Sequence, residues 1–80
     1  MLFVTLAKVR TNSIDELKDA MEKFKRSENV KVHHMMLLMG RYDALFVFEA
    51  PNEVVASRAV LSLQQAFSTE TALATPIEKI

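Results

Sequence analysis

The chain has 80 residues, no cysteine, and ten basic and ten acidic residues that balance to zero formal net charge. This length accommodates one domain, residues 1–80, and excludes a separate catalytic domain. The lack of cysteine excludes disulfides, a thiolate nucleophile and a Cys-rich zinc site, and the balanced charge argues against nucleic acid as a partner.

The first predicted elements are a strand and a helix. Residues 2–10 are rich in β-branched and large apolar side chains, which predicts a strand. Ser13 precedes Glu16 by three residues, the spacing of a capping box, in which the hydroxyl and the carboxylate satisfy free amides at a helix start. Apolar residues then recur at helical spacing and predict a helix over 14–27. Its predicted buried stripe consists of Ile14, Leu17, Met21 and Phe24.

A predicted hairpin follows, with strands at 30–39 and 42–49 on either side of Gly40, the only glycine. A chain that uses glycine once is expected to place it where a side chain does not fit. Gly40 therefore predicts a tight reversal with a left-handed backbone, and a larger residue there is expected to destabilise the hairpin. In the second strand, Tyr42, Ala44, Phe46 and Phe48 are predicted to point one way, and Leu45 and Val47 the other.

The last two elements are a helix and a strand. Pro51 marks the helix start, since proline is tolerated in a first turn, and the helix is predicted over 52–67. Its predicted apolar face consists of Val55, Ala56, Ala59, Val60, Leu63, Ala66 and Phe67. Val54 and Leu61 lie one heptad apart on the back of this helix, where they are either scattered surface residues or a second contact between dimers. Residues 69–75 predict a final strand at a sheet edge.

The order β-α-β-β-α-β predicts a ferredoxin-like α+β fold, with a four-stranded antiparallel sheet and two helices on one of its faces. The central strands are apolar on both faces, yet the helices can cover only one. An uncovered face of roughly 350 to 400 Å² is typical of an interaction site. Covering it is expected to contribute on the order of 10 kcal/mol per subunit before association costs. The pattern therefore predicts a symmetric homodimer with two sheets packed face to face.

Two segments resemble the signature of the GYD domain family: Met39-Gly40-Arg41-Tyr42-Asp43-Ala44 and Val47-Phe48-Glu49-Ala50-Pro51-Asn52-Glu53. The opening Phe3-Val4-Thr5-Leu6 and the late Thr69-Glu70-Thr71 also resemble such domains, so the resemblance covers essentially the whole chain. It implies a ferredoxin-like subunit of the dimeric α+β barrel group, and little about chemistry. The hairpin is more distantly similar to that of the effector-binding module of Lrp-like transcription factors, here without a helix-turn-helix segment.

Five polar residues are candidates for a ligand site. Arg41, Tyr42 and Asp43 place a cation, a phenol and a carboxylate at the reversal, where they are expected to line a cavity between sheet and helices or between subunits. In the structural alternative, Asp43 accepts backbone amides, Arg41 is solvated and the Tyr42 hydroxyl is satisfied locally. His33 and His34 are the only histidines. Because adjacent strand residues point to opposite faces, they are not expected to share a metal ion, and no metal site is predicted.

The leading functional hypothesis is a small homodimeric module, with a higher oligomer as an option, that binds a small molecule at an inter-subunit or sheet-helix cavity and needs no cofactor. The first alternative is a cofactor-independent, monooxygenase-like enzyme, with His33 or His34 transferring a proton and Tyr42 with Asp43 orienting the substrate. That enzyme would need an enclosed pocket lined by a histidine. The second alternative is a purely structural oligomerisation module. Without a run of roughly 20 apolar residues or a basic leader, the chain is expected to be soluble and cytoplasmic, with no membrane partner.

Overall fold

A computed structural model describes residues 1–80 and confirms the α+β ferredoxin-like fold. The elements are β1 (Leu2–Val9), α1 (Ile14–Lys25), β2 (Lys31–Leu37), β3 (Ala44–Glu49), α2 (Glu53–Leu63) and β4 (Phe67–Ala74), followed by a 3-10 turn at Ile77–Lys79. The strands form one antiparallel sheet in the order β2-β3-β1-β4, with both helices against the same face. Neither helix is long and apolar enough to cross a membrane.

The core lies between this sheet and the two helices. Its largest fully buried apolar side chains are Phe24 of α1, Phe46 and Phe48 of β3, and Leu63 of α2. The Phe24 ring makes edge-to-face contacts with Phe46 and Phe48 at centroid distances of 5.4 and 5.1 Å, a favourable geometry for aromatic pairs. The predicted stripe of α1 is thus correct for Phe24. It is wrong for Ile14, which is 66% exposed because it is the first helical residue and lies beyond the edge of the core.

At the start of α1, one of the two hydrogen bonds of the predicted capping box forms directly. The Ser13 hydroxyl accepts a hydrogen bond from the Glu16 amide at 3.2 Å. The Glu16 carboxylate, however, accepts from the Thr11 hydroxyl at 2.7 Å, and the Ser13 amide donates to that same hydroxyl at 3.1 Å. Thr11 therefore links the Ser13 amide to the Glu16 carboxylate, and the amides of both Ser13 and Glu16 are satisfied.

The predicted end of α2 is wrong, and so is the place of Pro51 at its start. Asn52 is the N-cap, and its side chain accepts from the Val55 amide at 2.9 Å, so Pro51 precedes the cap instead of occupying the first turn. At the other end the helix stops at Leu63, and Phe67 is the first residue of β4. Phe67 is buried as the first residue of β4, as it would be at the end of a longer α2. The apolar periodicity of the helix therefore appeared to continue to residue 67.

The prediction for Gly40 is also wrong. The β2–β3 connection is a loop over residues 38–43 and not a tight reversal. Gly40 has no positive φ, and a Cβ atom built on it would meet nothing within 4 Å. A six-residue loop reverses the chain without a left-handed glycine. The one residue with positive φ is Asn29, at 63°.

Replacing Gly40 by alanine is therefore expected to leave the free energy of unfolding unchanged or to raise it by up to about 1 kcal/mol, because alanine restricts the unfolded chain. Thermal denaturation of the variant beside the parent protein measures this difference. Asn29→Ala provides a contrast. Asn29 has a positive φ, which asparagine tolerates better than alanine, so the Tm of this variant should fall. A marked loss of stability in Gly40→Ala would contradict the open geometry of this loop.

Candidate functional site

One face of the sheet, called the open face below, is not covered by a helix. Its side chains alternate with those of the core, because successive strand residues point to opposite faces. At its centre lie five half-buried apolar residues: Leu2, Val4 and Leu6 of β1, and Leu45 and Val47 of β3. The register extends this apolar area to Ala72 and Ala74 on β4 and to Met36 on β2. The prediction that the central strands are apolar on both faces is confirmed.

A β-bulge in β2 brings both histidines to the open face. Val32 pairs with Phe48 and His34 pairs with Val47, so the register shifts by one residue at His33. Val32 lies against the core, while His34 shares the face of its partner Val47. The expected opposition of adjacent strand residues is therefore wrong here, because a bulge places two residues against one.

The first polar cluster of the open face is formed by His33, His34 and Glu49. The His33 Nε2 atom lies 2.7 Å from Glu49 Oε1, across the β2–β3 pair. This hydrogen bond is the main reason that the pKa of the Glu49 carboxyl is lowered from its ordinary value, and Lys31 acts in the same direction through its charge. Because Glu49 pairs with Leu2 of β1, the cluster borders the apolar centre.

The second polar cluster joins Tyr42 to Glu70. The Tyr42 hydroxyl donates to Glu70 Oε2 at 2.7 Å, and the Arg41 guanidinium carbon lies 5.8 Å from the centre of the tyrosine ring. Glu70 pairs with Leu6, so it lies on the open face, and Tyr42 must reach across β1 to meet it. The predicted grouping of Tyr42 with Phe46 and other core residues is wrong, because Tyr42 precedes β3 and does not share its alternation.

Asp43 follows the structural alternative. Its Oδ2 atom accepts from the Val9 amide at 2.8 Å, and its own amide donates to the Ala7 carbonyl at 2.8 Å. The Asp43 carbonyl accepts from the Leu38 amide at 2.9 Å. Asp43 thus ties the β2–β3 loop to the end of β1 and positions the neighbouring Tyr42.

The two polar clusters lie at diagonally opposite corners of the open face. Glu49 is on β3 in the row of Leu2 and His34 is on β2 in the row of Val4, whereas Glu70 is on β4 in the row of Leu6. Sequence reasoning did not identify Glu70 as a site residue. Its signal is that it is the single charged residue of β4, a strand otherwise rich in Thr and Ala. The described side chains form no group of three His, Asp or Glu that could hold a metal ion.

A hollow of about 700 Å³ lies on the other side of the molecule, between α2 and β4. Its lining includes Val54, Arg58 and Leu61 of α2, and Thr69 and Leu73 of β4. We call it the α2–β4 groove. It contains no histidine and none of the five predicted site residues. The α2–β4 groove is therefore not the enclosed, histidine-lined pocket that the enzyme alternative needs.

The Tyr42–Glu70 bond gives a direct spectroscopic prediction. Tyr42 is the only tyrosine, so tyrosinate absorbance reports a single group. The hydrogen bond to Glu70 raises its pKa above the ordinary value of 10.0. A raised folded-state pKa means that the bond contributes stability below the unfolded-state pKa, and that this contribution is lost as pH rises through the folded-state pKa.

Glu70→Gln is expected to return the Tyr42 pKa toward 10.0 in an absorbance titration, because the charged acceptor is removed. Glu49→Gln is the matched control, since it removes the carboxylate of the other cluster and should leave the Tyr42 pKa unchanged. Equal titration curves for the parent protein and Glu70→Gln would show that the bond does not persist in solution.

Comparisons with known proteins agree with this architecture. The model of the GYD domain family matches residues 4–80. Among solved structures, the crystal structure of PH0061 superposes with a TM-score of 0.68 at 16% sequence identity, over 96% of this chain and 53% of PH0061. This chain thus spans about half the length of PH0061, and at that identity the likeness shows the fold alone. No curated protein matches the chain at a significant level.

Proposed function

Since this chain belongs to the GYD domain family, we propose that it is a self-associating domain that packs two open faces together in the manner of a dimeric α+β barrel and binds a small molecule between the sheets. This role is analogous to that of the effector-binding module of Lrp-like proteins. The observation that carries the proposal is the open face itself, an apolar centre bordered by two hydrogen-bonded polar clusters.

The apolar centre supports association. Val4 and Val47 are direct partners in the two central strands and are only half-buried. Their neighbours Leu6 and Leu45 are also paired and half-buried. A continuous apolar patch of several hundred Å² is at the upper limit for a monomer surface. A second open face would remove this patch from water and contribute roughly 25 cal/mol per Å² of buried apolar area.

The polar clusters support ligand binding. A symmetric dimer brings two copies of each cluster to the border of one apolar interior. Small-molecule sites typically combine apolar walls with a few fixed polar groups that orient the ligand. Tyr42 is held by Glu70, and His33 is held by Glu49, while His34 makes no side-chain hydrogen bond within the chain. A small molecule with an apolar body and a hydrogen-bonding group matches this arrangement.

Native mass spectrometry of the purified protein, with sedimentation at micromolar concentration, tests both parts. We expect an assembly containing at least two subunits of 9.1 kDa with a small molecule retained. A compact monomer would contradict the proposal. A dimer that neither retains a small molecule nor takes one up from a metabolite extract would instead favour the purely structural oligomerisation module.

A further inference from the structure

The α2–β4 groove exposes three large apolar side chains that nothing in the chain covers. Val54 is 66% exposed, Leu61 64% and Leu73 56%. Buried Phe3 and Val60 contribute to the floor of the same groove. The groove lies on the helix side of the sheet, so the proposed packing of open faces leaves it uncovered. It is therefore a second surface that can be occupied independently.

The spacing of the apolar residues on α2 suits another helix. Val54 and Leu61 are seven residues apart and lie on one side of the helix, about 10 Å apart along its axis. Ser57, a small residue between them, also lines the groove. Consider a second α2 running antiparallel, with a two-fold axis between Ser57 and Arg58. Val54 then lies opposite the partner's Leu61, and Leu61 lies opposite the partner's Val54.

The charges at the groove complement the same arrangement. Glu53 and Arg58 both line the groove, and neither belongs to an ion pair within the chain, whose pairs are Asp19–Lys23 and His33–Glu49. In the antiparallel arrangement, the partner's Arg58 lies opposite Ser57, which is four residues, or roughly 6 Å along the helix axis, from Glu53. The long arginine side chain spans that offset. Symmetry repeats the contact, so each interface gains two ion pairs.

We infer that the α2–β4 groove is an isologous interface that receives α2 of a second copy of this chain, with Val54 and Leu61 as its apolar contacts and Glu53 and Arg58 as its charged contacts. The side-chain ridges of each α2 would pack into the α2–β4 groove of the other subunit, as ridges pack into grooves between helices in general. Together with the proposed open-face contact, which buries the opposite side of each subunit, this interface joins two dimers into a tetramer.

Charge reversal and exchange test the charged contacts. Glu53→Arg alone and Arg58→Glu alone each create repulsion across the interface, and each should raise the Kd of this contact by about tenfold or more in sedimentation experiments. The double variant Glu53→Arg/Arg58→Glu restores both pairs and should recover most of the affinity. Circular dichroism confirms that α2 is intact in each variant. If the double variant does not regain the affinity that each single variant loses, the predicted arrangement is wrong.

Leu61→Gln tests the apolar contact, with Ile14→Gln as the control because Ile14 is equally exposed, at 66%, but lies outside the groove. We expect Leu61→Gln to convert tetramers to dimers and Ile14→Gln to change nothing. If assembly is insensitive to Leu61→Gln, this inference falls while the open-face dimer stands. If Leu61→Gln leaves only monomers, the groove contact is supported and the open-face proposal falls.

Discussion

Ala72→Asp is expected to separate the two sheets of the proposed homodimer. Ala72 lies on β4 directly beside Val4, which pairs in turn with Val47, so its side chain borders the centre of the open face. An aspartate there would be buried between the sheets, and its neighbours on the same face, Val4, Glu70 and Ala74, offer no cationic partner. An uncompensated buried charge costs several kcal/mol, about 3 to 5 in measured cases, and a symmetric dimer would contain two. Even the lower value, counted twice, weakens association by about 10⁴-fold.

Sedimentation of Leu61→Gln and Leu61→Gln/Ala72→Asp measures this effect without the groove contact. The single variant should be a dimer and the double variant a folded monomer of 9.1 kDa. Because β4 is an edge strand, where inward charges are tolerated, the fold itself should survive. Ile14→Asp introduces the same charge on an exposed apolar residue away from both surfaces and should leave the dimer intact. A dimer that persists in the double variant would disprove the open-face contact.

Phe24→Ala is expected to have the largest effect on stability, a loss of about 3 to 5 kcal/mol. Phe24 is 0% exposed and joins α1 to both aromatic rings of β3. Removing its ring leaves a cavity that Phe46 and Phe48 cannot fill without breaking their own contacts. Since a core of this size contributes only about 3 to 5 kcal/mol by itself, the variant should depend on subunit association to stay folded.

Urea denaturation monitored by circular dichroism measures this loss. Ile14→Ala is the matched control on the same helix, because the predicted apolar stripe of α1 included both residues, yet Ile14 is 66% exposed. Its free energy of unfolding should change by no more than about 0.5 kcal/mol, the range for surface substitutions. Similar losses in both variants would mean that α1 packs differently on the sheet.

Element types were predictable from the sequence, and element ends were less so. Phe24 and Leu63 recur at helical spacing with their neighbours, and that periodicity holds wherever a helix lies on a sheet. Ile14 and Phe67 satisfied the same helical pattern but lie where an element begins. An apolar residue at such a junction fits both the periodicity of a helix and that of the adjoining strand or loop. Only the position of the neighbouring element decides between them.

The sequence named some residues of the two polar clusters, but not their carboxylate partners Glu49 and Glu70, and not their arrangement. All of His33, His34 and Tyr42 were identified by residue type, but their directions were wrong because strand alternation was assumed to extend through a bulge and into a loop. Asp43 was correctly given a structural alternative, since its carboxylate lies one residue before a strand, where free amides are common. Glu70 was missed because its partner is 28 positions away in the chain.

The sequence by itself determined the order of the elements, the family signature and the presence of apolar residues on both faces of the central strands, because each depends on residue type and local spacing. Only the tertiary structure decided that both histidines share the open face, that Tyr42 crosses β1 to Glu70, and that Gly40 lies in an unstrained loop. Strand register, bulges and side-chain reach are set by pairing between distant segments, and a one-residue shift in that pairing reverses which face a side chain occupies.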